Sequence, residues 1–183
     1  MGKNMGENKL KLWCTNFIQF KRIAYKNEWD EVVPDNVAII SINNSESIGS
    51  IEEYHICKNA DNVLNLDFDD VSPEAFRLSD NTENFIYCTD EGKEVILQFF
   101  TNDMAEKAVD FIENNKNKNF YIHCSAGVSR SQAFVKYIKN VYYDKDWETE
   151  LMAQKLKMRF GKYKNFSIFY IDSLINTNLF STN

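Results

Sequence analysis

The chain predicts an α/β domain in which a central mixed sheet is flanked by helices and a short reactive loop joins a strand to a helix. Three observations carry that expectation. Asn36 to Ile42 (NVAIISI) is a continuous apolar run of the kind a buried strand shows. Met104, Ala108, Phe111 and Ile112 fall on one face at helical spacing after the helix start Thr101-Asn102-Asp103. The nonapeptide HCSAGVSRS, residues 123 to 131, lies between Asn119 to Ile122, which reads as a strand end, and Ser131 to Tyr142, which reads as a helix.

The other elements follow in order. Residues up to about Lys9 read as a loose tail, and Leu12 to Ile23 alternates in the manner of one or two strands. Asn43 to Ser50 has turn chemistry, with a short helix expected at Ile51 to Tyr54. Val63 to Phe68 (VLNLDF) predicts another strand, ended by an acidic turn and Pro73. Residues 73 to 100 read as an insertion holding a hairpin, Phe85 to Cys88 and Val95 to Phe100, turned at Asp90-Glu91-Gly92. The first predicted helix closes in the polar run Asn114 to Asn119. After the nonapeptide, Phe134, Val135, Ile138 and Val141 form an apolar stripe, and Trp147 to Phe160 and Phe166 to Ile175 predict two further helices. Alternating strands and helices point to α/β packing, and 183 residues fit a single domain.

Composition narrows the classes. Hydrophobic residues at 44% describe a globular chain, and a net charge of −6 argues against nucleic-acid binding. Cys14, Cys57, Cys88 and Cys124 lack metal or disulfide spacing, so they are expected to be reduced thiols, the first three as inert packing. Two histidines leave little for a metal site, so no metal and no cofactor is expected. No apolar run approaches a membrane span, and no signal-peptide core begins the chain. The expectation is a soluble cytoplasmic protein, monomeric, without membrane or nucleic-acid partners.

Within the nonapeptide, Cys124 and Arg130 stand five residues apart in a loop leading into a helix N-terminus. The helix dipole and its N–H groups favour anions and thiolate there. The same N–H groups, over Ser125, Ala126, Gly127, Val128, Ser129 and Arg130, suit a phosphate, and a guanidinium fork grips two oxygens at once. A nucleophile and an anion cradle in one loop point to phosphate-ester cleavage.

HCSAGVSRS resembles the signature of the cysteine-based protein tyrosine phosphatases, in particular their dual-specificity branch: His-Cys, five residues, Arg, then Ser or Thr. LNLDFDD, residues 64 to 70, is similar to the strand and acidic turn that carry the family's general acid, and the likeness spans roughly Val37 to Tyr142. The resemblance implies a protein tyrosine phosphatase-like fold and a phosphocysteine intermediate. Cys124 would be the nucleophile, Arg130 the oxyanion holder, Ser131 a donor to the sulfur and His123 a residue that fixes the loop. Asp70 would be the acid and then the base, with Asp69 and Asp67 within slippage distance and Asp90 as the alternative.

Two other readings stand beside this one. The chain would be a phosphoprotein-binding domain without catalysis, or, from DFDDV at 67 to 71, a Mg²⁺-dependent phosphatase with an aspartate nucleophile. The loop interior contains no lysine or histidine to meet additional phosphates. A phosphorylated protein is therefore the expected partner, with phosphotyrosine first and phosphoserine or phosphothreonine as further substrates.

Overall fold

The computed structural model describes residues 10–45, 55–79, 81–142 and 147–151. In chain order the elements are β1 (Leu10–Asn16), α1 (Phe17–Lys26), β2 (Val37–Asn43), β3 (Val63–Asp67) and a 3₁₀ turn (Pro73–Phe76). There follow β4 (Asn84–Cys88), β5 (Glu94–Gln98), α2 (Asn102–Asn115), β6 (Asn119–Cys124), α3 (Arg130–Val141) and β7 (Trp147–Leu151). Five strands form one sheet in the order β3-β2-β6-β1-β7, and β4 and β5 form a separate hairpin.

The expected α/β class holds, and among the described residues the central sheet is parallel rather than mixed. Each of its strand pairings is parallel, and antiparallel pairing occurs in the hairpin and at the isolated bridge Ala60–Val63. Parallel strands buried on both faces lose the polar alternation of a half-exposed sheet. β2 accordingly buries every residue from Val37 to Ile42.

The two faces divide the core. Phe20 and Ala24 of α1 cover Val37, Ile39 and Tyr121, where Trp13 and Trp29 set ring edges against Tyr121. On the other face α2 and α3 bury Leu12, Cys14, Ala38, Ile40, Phe120, Ile122 and Cys124. Period-two alternation along β6 therefore sends Cys124 to the α2/α3 side and His123 to the α1 side. The chain leaving β1 crosses one face and the chain leaving adjacent β6 crosses the other. In open parallel sheets such a divergence makes a crevice at the strands' carboxyl ends. Asn16 and Cys124, partners in register, end the two strands there.

Three sequence expectations are corrected. The segment Leu12 to Ile23 is one strand followed by a helix, because Phe17, Phe20 and Ala24 recur at helical spacing and the Asn16 side chain caps the Gln19 N–H. Trp147 to Leu151 is a strand, not the start of a helix: it pairs in parallel with β1, whose other edge is held by β6. Edge pairing thus overrides the local helical pattern, and the rest of that expected helix, the helix at Phe166 to Ile175 and the short helix at Ile51 to Tyr54 lie outside the described residues. Cys88 is exposed on the hairpin, so it is not core packing.

Candidate active site

Cys124 is the last residue of the central strand, 2% exposed, and the loop 125–129 carries the chain into α3. The loop is pressed against the end of β1. Phe17 donates its N–H to the Ser125 carbonyl at 3.3 Å. Gly127 has φ +69°, and a Cβ there would meet the Thr15 and Asn16 backbone at 2.7 Å. Both its backbone angle and its proximity to β1 require glycine.

A backbone N–H and a hydroxyl face the sulfur. The Gly127 N–H reaches Cys124 Sγ at 3.2 Å, and Ser131 Oγ lies 3.2 Å from it. Ser131 Oγ also accepts from the Cys14 thiol at 3.1 Å. Burial, as the largest cause, pushes Cys14 up to about 12, with the neighbouring Cys124 adding to the rise and the Ser131 hydrogen bond opposing it. Cys14 therefore keeps its proton, within reach of Ser131 Oγ and, at 3.7 Å, of the Gly127 carbonyl. Gln132 Nε2 completes the frame, donating to Cys14 Sγ at 3.1 Å and to the Gly127 carbonyl at 3.3 Å. Sequence reasoning missed this role for Cys14, whose only signal was its place near the end of a strand.

Arg130 is buried and directed by backbone carbonyls. Its Nη1 donates to Asn43 O at 3.0 Å and to Phe68 O at 2.6 Å, and its Nη2 reaches Ser125 Oγ at 3.3 Å. Its Nε is buried and has no hydrogen-bond partner among the described residues. One side of the guanidinium is thus fastened to the ends of β2 and β3, and the Nε side is not. Buried N–H groups without partners are costly and uncommon.

The acidic run after β3 distributes its carboxylates to three places. Asp67 pairs with His55, whose other ring nitrogen contacts Ser41 Oγ. Asp69 is buried and accepts from Ser45 N–H (3.0 Å), Ser45 O–H (2.6 Å) and Gln98 N–H (2.8 Å). Asp70 alone accepts from the loop, at 2.6 Å from Ser129 Oγ. Asp90 lies at the tip of the hairpin, whose base is tied to Asp69 at Gln98. The four residue steps from Glu94 to Gln98 put about 13 Å between tip and base.

His123 does not hold the loop through hydrogen bonds. Its ring stacks on Phe20 at 4.1 Å, and both nitrogens lack a partner among the described residues. Burial lowers it to about 3, helped by the charges of His55 and Arg130, so the ring is neutral. Ala126 and Val128 contribute backbone to the loop. Among the described residues no group of three or more His, Cys, Asp or Glu side chains is arranged as metal ligands.

No protein-family model, curated protein or solved structure matches this chain.

Proposed function

We propose that the protein hydrolyses phosphate monoesters on proteins through a phosphocysteine intermediate, as a dual-specificity phosphatase does. The observation that carries the proposal is the pairing, in one loop, of a buried thiol faced by the Gly127 N–H and the Ser131 hydroxyl with an arginine whose Nε has no partner among the described residues. In the reaction the Cys124 thiolate attacks phosphorus in line and the bond to the leaving oxygen breaks. Arg130 Nε and Nη2, with the backbone N–H groups of Ser125 to Arg130, hold the equatorial oxygens as charge redistributes. Asp70 gives its proton to the leaving oxygen. Water then attacks the phosphocysteine, Asp70 takes a proton from it, and the Ser131 O–H stabilises the departing sulfur.

The contacts of the acidic run favour this mechanism over an aspartate nucleophile. Asp67 and Asp69 are committed to His55 and to Ser45 with Gln98, in different directions. The neutral loop side chains favour a single phosphate group over a polyanion.

The test is turnover of an aryl phosphate in EDTA by the wild type, Cys124→Ser and Asp70→Asn, with a phosphotyrosine peptide, a phosphoinositide and a 5′-triphosphate RNA compared beside it. The expected result is vanadate-sensitive activity lost in Cys124→Ser, with the peptide turned over fastest. Dependence on Mg²⁺, or faster turnover of the phosphoinositide or RNA, overturns the proposal. Phosphopeptide binding with no hydrolysis would establish a binding domain instead.

A further inference from the structure

The hairpin presents an apolar surface that the fold does not use. Phe85, Tyr87, Val95 and Leu97 share one of its faces, and Phe76 sets its ring against Phe85 and Tyr87 on that side. On the other face Ile86 and Ile96 stand opposite each other, 58% and 51% exposed. Among the described residues the β4 edge is also open. Thr89 donates to Lys93 and Phe99 to Glu83, which fixes the hydrogen-bonded pairs of the ladder. Asn84, Ile86 and Cys88 occupy the alternate pairs, so their N–H and C=O groups point away from β5. They bond to nothing among the described residues, whereas on the β5 edge the Ile96 carbonyl meets Ser45 and the Gln98 N–H and carbonyl meet Asp69. An exposed edge beside an apolar pair is a template for an added strand.

The position and charge of the hairpin select the occupant. Its base is fastened to Asp69 by Gln98, in both directions, one residue from the Asp70 carboxylate that touches the loop. Along the described residues 83–98 of the hairpin the exposed charges are Glu83, Asp90, Glu91 and Glu94 against Lys93. We infer that β4 is a docking edge for the phosphorylated substrate. A peptide segment adds there as a strand, sets an apolar side chain on Ile86 and Ile96, and turns basic residues toward Glu94 and the acidic tip. Ile96 lies two residues from Gln98, about 7 Å along the strand. The apolar residue of the substrate therefore sits at least two residues from the phosphorylated one. This inference rests on the reading of the loop as a phosphatase site.

The experiment uses the full chain and a series of fluorescent peptides with one phosphotyrosine, an isoleucine two to six residues away and two lysines beyond it, each prepared with and without the phosphate. The unphosphorylated peptide is expected to bind in a salt-sensitive manner. Ile86→Ser is expected to weaken that binding, and to raise the peptide KM, by about tenfold, the loss typical of an apolar anchor. Glu94→Lys is expected to weaken binding a few-fold, most strongly at low salt. Both variants should leave kcat/KM on a small aryl phosphate unchanged. Peptide affinity indifferent to Ile86→Ser, or an equal loss on the aryl phosphate, overturns the docking edge. Ile86-dependent peptide binding in a chain that hydrolyses no aryl phosphate supports the docking edge while refuting the phosphatase reading.

Discussion

At the scale of the residue, Ser131 and His123 carry distinct predictions. The Ser131 hydroxyl lies between two sulfurs, 3.1 Å from Cys14 and 3.2 Å from Cys124, and is the proposed donor to the departing Cys124 sulfur. Its removal is expected to hinder the step in which sulfur departs and to spare the one in which it attacks. Ser131→Ala should lower kcat by roughly tenfold to a hundredfold, within the range for positioned proton donors, with a burst of aryl alcohol in rapid-quench kinetics. Absence of a burst would place the hydroxyl elsewhere in the cycle. His123 is buried neutral, lowered to about 3 from 6.5. The unfolded chain therefore binds its proton at higher pH than the folded one does. Stability from this residue is complete above pH 6.5 and is lost as pH falls towards 3, with a limiting slope of about 1.4 kcal/mol per pH unit. Urea unfolding at pH 7 and pH 5 should show a smaller acid loss in His123→Phe, which keeps a ring against Phe20 and removes two unpaired nitrogens. An unchanged pH dependence would contradict the assignment. His-Cys was legible in the sequence, but the role of the histidine was not, because strand alternation turns it to the face opposite the cysteine.

At the scale of the element, the segment after β3 serves the site by separating two adjacent carboxylates. Asp69 ties the hairpin and the end of β2 to the strand, and Asp70 faces the loop. Asp69→Ala leaves the half-buried N–H groups of Ser45 and Gln98 without their carboxylate acceptor and should cost on the order of 1–3 kcal/mol. Its remaining activity should keep the wild-type dependence on leaving-group basicity. Asp70→Asn should retain stability and lose about 10²- to 10⁴-fold on poor leaving groups, the contribution of a general acid. The reverse pattern, or the larger leaving-group effect in Asp90→Asn, would reassign the acid. Sequence alone left Asp67, Asp69, Asp70 and Asp90 open. The choice among them depends on contacts with Ser45, Gln98 and Ser129, which lie 24, 29 and 59 residues away. The hairpin itself was legible, because two apolar runs flank a turn whose Gly92 adopts φ +75°.

At the scale of the molecule, a parallel sheet delivers the loop from its middle strand into the crevice where the connections of β1 and β6 diverge. Cys124 and Arg130 were legible because loop chemistry is local: seven residues hold both groups. Cys14, 117 residues from Ser131, was not, and neither was β7, whose strand state depends on the edge of β1. The central claim is that Cys124 forms a covalent bond to phosphorus. Its most direct test is rapid acid quench of the wild type turning over an aryl phosphate, followed by mass spectrometry of the peptide containing Cys124. The account predicts a phosphate adduct on Cys124, more abundant in Ser131→Ala and absent from Cys124→Ser. An adduct on Asp67, or turnover that persists in Cys124→Ser, would contradict it.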